Sequence, residues 1–378
     1  MSQAIKDNQA TIIPRLISPP DNRLIAGTAR FFMVISLSIA LFTFGATLEV
    51  RAQAGGNNTW EFLNLTNSAR VASLGGKNIT LRDGDLNLVF HNPALLDSTM
   101  NNHLVINYVN YFTDINFGYA SWAFHHNRFG SFAAGIHHIS YGNFIAADDS
   151  GIITGDFTAG ENSINFSWAI PIDSLFSFGA TVKAINSSFE QYRSSGMAVD
   201  AGINYFNPSR QLSASLVMKN LGTQFTTYYS GGEREPLPFE LQLGVSKRLE
   251  HAPFRLSILY QHLQDINLNT NKRQGETDIT GTESFSAKAE KLTNELLRHL
   301  IIGVEFLPGQ NLSLHAGYNN LRRHELRIEE RTSTVGFSWG FGLRVNRFRI
   351  GFGQARYHLA GSSNHFSVST NLSSFYSR

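Results

Sequence analysis

From His103 to the C-terminus the chain repeats one pattern, in which apolar side chains alternate with small or polar ones over segments of about ten residues. Val335, Phe337, Trp339, Phe341, Leu343 and Val345 share one parity, and Gly336, Ser338, Gly340, Gly342 and Arg344 share the other. Successive side chains of a strand point to opposite faces, so one face of this segment is lipophilic and the other small or polar. Phe176, Phe178, Ala180, Val182 and Ala184 alternate with Ser177, Gly179, Thr181 and Lys183 in the same way. Met197, Val199, Ala201, Ile203 and Tyr205 alternate with Ala198, Asp200, Gly202 and Asn204. Leu300, Ile302, Val304 and Phe306 oppose Gly303 and Glu305, and Phe366, Val368, Thr370 and Leu372 oppose Ser367, Ser369 and Asn371. A soluble β-sandwich also alternates, but it needs a shared apolar core and more charge outside.

The pattern predicts strands at 103–110, 115–126, 129–142, 161–170, 175–190, 195–206, 211–222, 239–249, 254–264, 298–307, 311–320, 332–345, 347–359 and 363–372. The fold class is therefore all-β, a transmembrane antiparallel β-barrel of about 14 strands, an even number within the range of bacterial barrels. Loop lengths give an independent check. Even-to-odd links are short, as at 171–175, 206–210 and 249–253, while the odd-to-even links include the long stretches 143–160, 223–238, 265–297 and 321–331. Outer-membrane barrels have short periplasmic turns and longer external loops, so this parity places both chain ends in the periplasm.

Upstream of the strands the pattern changes twice. Phe31 to Thr47 is the only long apolar run, preceded by Arg23 and Arg30 and followed by Ala52 and Ala54. It reads as a secretory signal cleaved after Ala52 or Ala54, with an extended n-region. A membrane-anchor helix is the rival, and the run falls slightly short of the ~20 residues a span needs. The stretch from Ser68 to Asp97 reads as a plug. Gly75 and Gly76 break any helix there, Asp85 is a candidate N-cap before Leu86, Val89 and Phe90, and Asn92-Pro93 ends that segment ahead of Ala94, Leu95 and Leu96. An ordinary helix and turn packed on a soluble core is the plainer reading. A barrel this wide has a lumen its wall side chains cannot fill, which favours a hatch inside it. The expected domains are a signal at 1–52, a periplasmic arm and lumen hatch at 53–102, and the barrel at 103–378.

Composition agrees. The 378 residues include 29 Phe, 12 Tyr and 32 Gly, with only 16% charged residues. Of the 31 Lys and Arg, five precede Gln53, as do three of the 29 Asp and Glu, so 26 of each sign remain in the mature chain. That balance excludes nucleic acid as a partner. There is no Cys, hence no disulfide and no lipid-modified N-terminal cysteine.

Chemistry-bearing groups are few. His125-His126 and His137-His138 are strand neighbours that point to opposite faces, so neither pair can grip one metal ion. No cofactor is expected: Gly-x-Gly at 340–342 and 351–353 is followed by no helix that could receive a phosphate. The strings of penicillin-recognising serine enzymes are missing. A Ser-His hydrolase assembled in space is a distant third reading, and no catalytic residue is assigned. Two external loops are candidate partner contacts. Tyr228, Tyr229 and Arg234 lie with Phe225, Pro236 and Pro238, and interfaces are rich in aromatics, with membrane-interface anchoring as the rival. Arg322 and Arg323 open LRRHELRIEER, whose guanidinium groups suit lipopolysaccharide phosphate; a self-neutralised hairpin extension is the rival. AKAEKLTNELLR at 287–298 fits a short external helix.

The stretch TWEFLNLTNSARVASLGGKNITLRDGDLNLVFHNPALL resembles the N-terminal hatch of the FadL-like barrel superfamily, in which a Gly-Gly segment precedes an Asn-Pro-Ala turn. NHLVINYVNYFTDINFGYASWAF, FAAGIHHISYG and, most specifically, EPLPFELQLGVSKRLEHAPFRLS resemble the PorQ family of barrels within it, associated with the type IX secretion system of Bacteroidota. The resemblance covers most of the mature chain. It implies a non-enzymatic outer-membrane protein that helps hold a surface complex, with a PorZ-like protein and a sortase-like protease, attaching secreted cargo to lipopolysaccharide. The wider superfamily implies the alternative, a transporter of hydrophobic small molecules. The long signal region and the loop at 265–297 depart from the pattern.

Overall fold

The computed structural model describes residues 58–265, 295–325, 334–358 and 361–376. The expected signal and most of the loop at 265–297 lie outside them. The strands are β1 His103–Asn110, β2 Asn116–His126, β3 Gly130–Ala147, β4 Ile153–Pro171, β5 Phe176–Phe189, β6 Tyr192–Asn207 and β7 Leu212–Thr226. They continue with β8 Glu240–Arg248, β9 Phe254–Tyr260, β10 Leu300–Phe306, β11 Leu312–Asn319, β12 Phe337–Val345, β13 Phe348–His358 and β14 Gly361–Asn371. All pair antiparallel with their chain neighbours, and β1 closes on β14 from His103↔Asn371 to Asn110↔Asn364. Closure satisfies every ladder hydrogen bond without an edge, as a lipid environment requires.

The outward parity is apolar around the ring. Ile106, Ile164, Phe166, Leu216, Ile258, Phe337 and Trp339 are all exposed. Left in water, such a band would forgo about 25 cal/mol for each Å² of apolar surface, so its medium is lipid. The protein is a multi-pass β-barrel of the bacterial outer membrane.

The strands differ from expectation mainly at their outer ends. Residues 143–160, expected as a loop, are largely a paired extension of β3 and β4, with a register shift between Ser140 and Asn143. The pair His138 and Asn162, hydrogen-bonded at 2.7 Å, marks the upper limit of the apolar band there. Beyond it Phe144 stacks on Phe157, and Ile145, Ile152 and Ile153 are exposed. Period-two alternation does not reveal this extension because the hairpin beyond the band has no lipid face to keep apolar. Val335, assigned by parity to the lipid face, lies in the turn before β12 and is fully buried. The expected external helix at 287–298 is described only as one helical turn at 295–298.

Two measurements check this wall. A tag at Asp149 is expected to be labelled on intact cells and one at Asn346 to stay hidden. Phe337→Arg is expected to cost roughly 2–4 kcal/mol of membrane insertion, read as loss of the heat-modifiable band. Ser338→Arg, pointing inward, should leave that band in place.

Candidate functional site

The N-terminal segment lies within the ring of strands and touches the inward faces of most of them. It carries α1 (Ala69–Ser73), N-capped by the Ser68 side chain, followed by 3-10 turns at Leu86–Phe90, Pro93–Leu95 and Ser98–Met100. Asp85 caps the first turn by accepting the Asn87 N–H at 3.1 Å. The stripe Leu86, Val89 and Phe90 thus sits on a tighter 3-10 spiral than the α-helix its spacing suggests, and all five residues of that turn are buried. Asn92 joins two strata of the segment: its Nδ2 donates to the Ile79 carbonyl at 2.7 Å and its Oδ1 accepts the Ala94 N–H at 2.9 Å. Pro93 begins a further turn, Pro93–Leu95, and the first strand starts at His103, as the alternation predicts.

Backbone touches backbone at several points. Gly75 and Gly76 hold φ of +100° and +95°, a region costly for side chains with a Cβ. This turn presses Leu74 and Gly75 onto Gly317, while Ala69 lies on Gly353 and Pro93 with Ala94 on Gly179. A Cβ on any of these three wall glycines would overlap main-chain atoms of the segment. The small inward parity read from the sequence is therefore room for another piece of chain. Ser338 bridges the junction, donating to the Ser73 carbonyl at 3.0 Å while accepting the Gly75 N–H at 3.0 Å. Arg322, expected on an exposed loop, opens a short helix, α2 (Asn320–Glu325), and its guanidinium folds over Gly76. Two separately chosen candidates thus meet at one point.

Apart from Asp85, the ionised groups that pin the periplasmic end were not singled out by the sequence alone. Arg70 on α1 meets Asp83 at 2.7 Å, Asp85 at 3.0 Å and Glu305 of β10 at 2.8 Å, and Arg255 of β9 meets Asp83 at 2.7 Å and Glu305 at 3.3 Å. Burial alone would raise the Asp83 pKa, but Arg70 and Arg255 hold that carboxyl well below the usual carboxylate range. Higher up, Lys77 pairs with Glu240 of β8 at 2.6 Å. Across the lumen Lys183 of β5 pairs with Asp200 of β6 and with the Asn220 side chain of β7, each at 2.7 Å. Lys183 and Lys219 both lie over the Phe90 ring, 5.5 and 5.2 Å from its centroid. The available signal was charge at inward positions inside strands, where an ionised group needs a buried partner.

At the outer end Leu237 and Pro238 turn inward, while Glu235 and Pro236 stay exposed. The Pro236 carbonyl accepts the Thr59 N–H at 3.0 Å, and the Pro238 carbonyl accepts the Asn220 amide at 3.0 Å. Leu237 joins an apolar cluster with Trp60, Phe62, Val109, Phe117 and Ile139. Tyr228 also turns in, donating to Ser187 at 2.7 Å, while Phe225, Tyr229 and Arg234 stay exposed, as expected of this loop. His137 is buried with its ring 5.5 Å from Phe62 and 5.3 Å from Phe90, while His138 faces out. Among the described residues no group of His, Asp or Glu is arranged to hold a metal.

No protein-family model and no curated protein matches the chain. Solved barrels do. The toluene transporter TbuX of Ralstonia pickettii is similar at 13% identity and TM-score 0.48, with 82% of this chain and 99% of that one covered. The toluene transporter TodX of Pseudomonas putida gives the same 13%, 0.48, 82% and 99%. A Pseudomonas aeruginosa FadL homologue gives 12% and 0.45, covering 81% and 98%.

Three variants probe this site. Gly353→Leu should leave the wall heat-modifiable but expose residues 68–97 to protease, since the new side chain displaces Ala69. Arg70→Ala leaves Asp85 without its cation and Asp83 and Glu305 with Arg255 alone; breaking a buried pair costs about 3–5 kcal/mol, read as an earlier denaturant midpoint for burial of the segment. Asp83 has a folded-state pKa below its unfolded value of about 3.9. Its contribution is therefore complete above that pH and fades as the pH falls towards the depressed value. Quenching of Trp60, with the other three tryptophans replaced by Phe, should rise on acidification, and Asp83→Asn should flatten that response.

Proposed function

We propose that this chain is a non-enzymatic barrel whose lumen is sealed by its own N-terminal segment and which anchors a surface-attachment complex of the type IX secretion kind. One observation carries the reading: the segment is fastened at both ends, by the Arg70 lattice facing the periplasm and by the 235–239 stretch facing outward. EPLPFE, which opens the block most specific to the PorQ-family resemblance, supplies this outer contact. A sealed barrel offers a fixed footing rather than a path. Tyr229 and Arg234 then face outward for a PorZ-like protein, a sortase-like protease or lipopolysaccharide.

A second reading, passage of hydrophobic small molecules, carries over the toluene transport named for the structurally similar barrels. Its local support is the apolar cluster under the β1–β2 hairpin, where Tyr111, Ile115 and Tyr141 are only partly buried beside the irregularity in β3. The deciding experiment is affinity purification from outer membranes together with toluene uptake by intact cells with and without the chain. Surface proteins should co-purify, and removing the chain should leave the rate of toluene uptake unchanged. Toluene uptake that depends on the chain, with no co-purifying surface protein, would replace the anchor with the conduit.

A further inference from the structure

The strand ends give the depth of each residue of the luminal segment. With the orientation that loop parity predicts, the links β1–β2, β5–β6, β7–β8 and β11–β12 are outer, and β8–β9 and β10–β11 are periplasmic. Traced backwards from the periplasmic start of β1 at His103, the segment rises to Phe90 beside Lys183 and Lys219. It returns to the periplasmic mouth at Asp83, held by Arg255 at the foot of β9. It rises again to Gly76 under Arg322 and to Lys77 on Glu240, both at outer strand ends, and descends to Arg70 on Glu305 near the end of β10. One more ascent brings it to Thr59. There the Thr59 N–H donates to the Pro236 carbonyl at 3.0 Å, and its hydroxyl accepts the Gln224 amide at 3.4 Å beside the outer end of β7. Trp60 holds φ of 58°, a costly region for a residue with a Cβ, and its ring takes the space over Gly196 that a side chain there would fill. Phe62 and Leu63 are buried with Val109 and Phe117, near the outer ends of β1 and β2. The first strand thus begins on one side of the membrane and the segment that precedes it begins on the other.

We infer that the chain enters its own barrel from the outer end and that its mature amino terminus is displayed at the cell surface, next to the loop that carries Tyr229 and Arg234. The reach of the chain supports this placement. With cleavage after Ala52 or Ala54, at most the five residues Gln53 to Asn57 precede Asn58. Fully extended, five residues span about 18 Å, short of an apolar band about 25 Å tall, and the lumen beneath is already occupied by residues 59–102. The amino terminus therefore cannot return to the periplasm, where loop parity alone would leave it. Strand β14, by contrast, does end on the periplasmic side. The placement depends on the fold and its orientation, so it holds equally for an anchor and for a conduit. It gives the outer surface a free end of chain that a partner can capture, joined directly to the segment that fills the lumen.

The chain has no Cys, so Asn57→Cys gives the full-length protein a single thiol, small enough to pass wherever the native residue passes. Intact cells are treated with a maleimide carried on a polyethylene glycol too bulky to enter a lumen or cross the outer membrane. Asn57→Cys should react to the same extent as Asp149→Cys on the raised hairpin, and Asn346→Cys in the β12–β13 turn should react only once the membrane is permeabilised. Heat modifiability confirms a formed wall in each variant, and the intact mass should place the mature start at Gln53 or Gly55. Asn57→Cys that reacts only after permeabilisation, while Asp149→Cys reacts on intact cells, would overturn the proposal. A mature chain that keeps the apolar run 31–47 would overturn it as well. So would reaction of Asn346→Cys on intact cells, because the barrel would then lie the other way round in the membrane.

Discussion

A closed ring of fourteen strands encloses more space than its own inward side chains fill, and most of the molecule follows from how that space is occupied. In this chain the filling is polypeptide. The wall makes room by carrying glycine and serine inward, so that Ala69, Gly75 and Pro93 lie directly on Gly353, Gly317 and Gly179. The arrangement inverts that of a soluble domain, with large apolar groups outside and small or polar ones within.

Filling a lumen with chain creates a second problem, since the backbone and side-chain dipoles of the insert leave water. Caps meet part of it: Ser68, Asp85, Asn92 and Asp97 each accept a nearby backbone N–H. Wall side chains such as Ser177, Ser338 and Asn319 meet more by bonding carbonyls of the segment. The ionised groups are paired, Arg70 with three carboxylates and Lys183 with Asp200. Such lattices add modest net stability, yet they penalise any misplaced register, because a shift strands a charge. They suit a segment that must seat in one way only.

The two ends of the barrel are built differently. The periplasmic turns are short and carry exposed arginines, whereas the outer side carries the raised β3–β4 hairpin and the inward-turned Leu237 and Pro238. The raised hairpin ends in exposed isoleucines beyond the lipid band.

The sequence by itself determined the wall. Alternation in segments such as 337–345 fixes which side chains meet lipid, because a strand in a bilayer has no other way to place them, and loop parity sets the expected orientation. It also marked Gly75-Gly76, Asp85 and Asn92-Pro93, whose local backbone preferences act within a few residues. What only the tertiary structure decided is what those local signals join. Arg322 lies over Gly76 although 246 positions separate their numbers, and Arg70 reaches Glu305 from the other end of the chain. Tyr228, Leu237 and Val335 turned inward against the reading of their neighbourhoods. Period and propensity are short-range properties, whereas contacts across a lumen depend on where closure of the whole ring brings distant strands, and no local pattern encodes that.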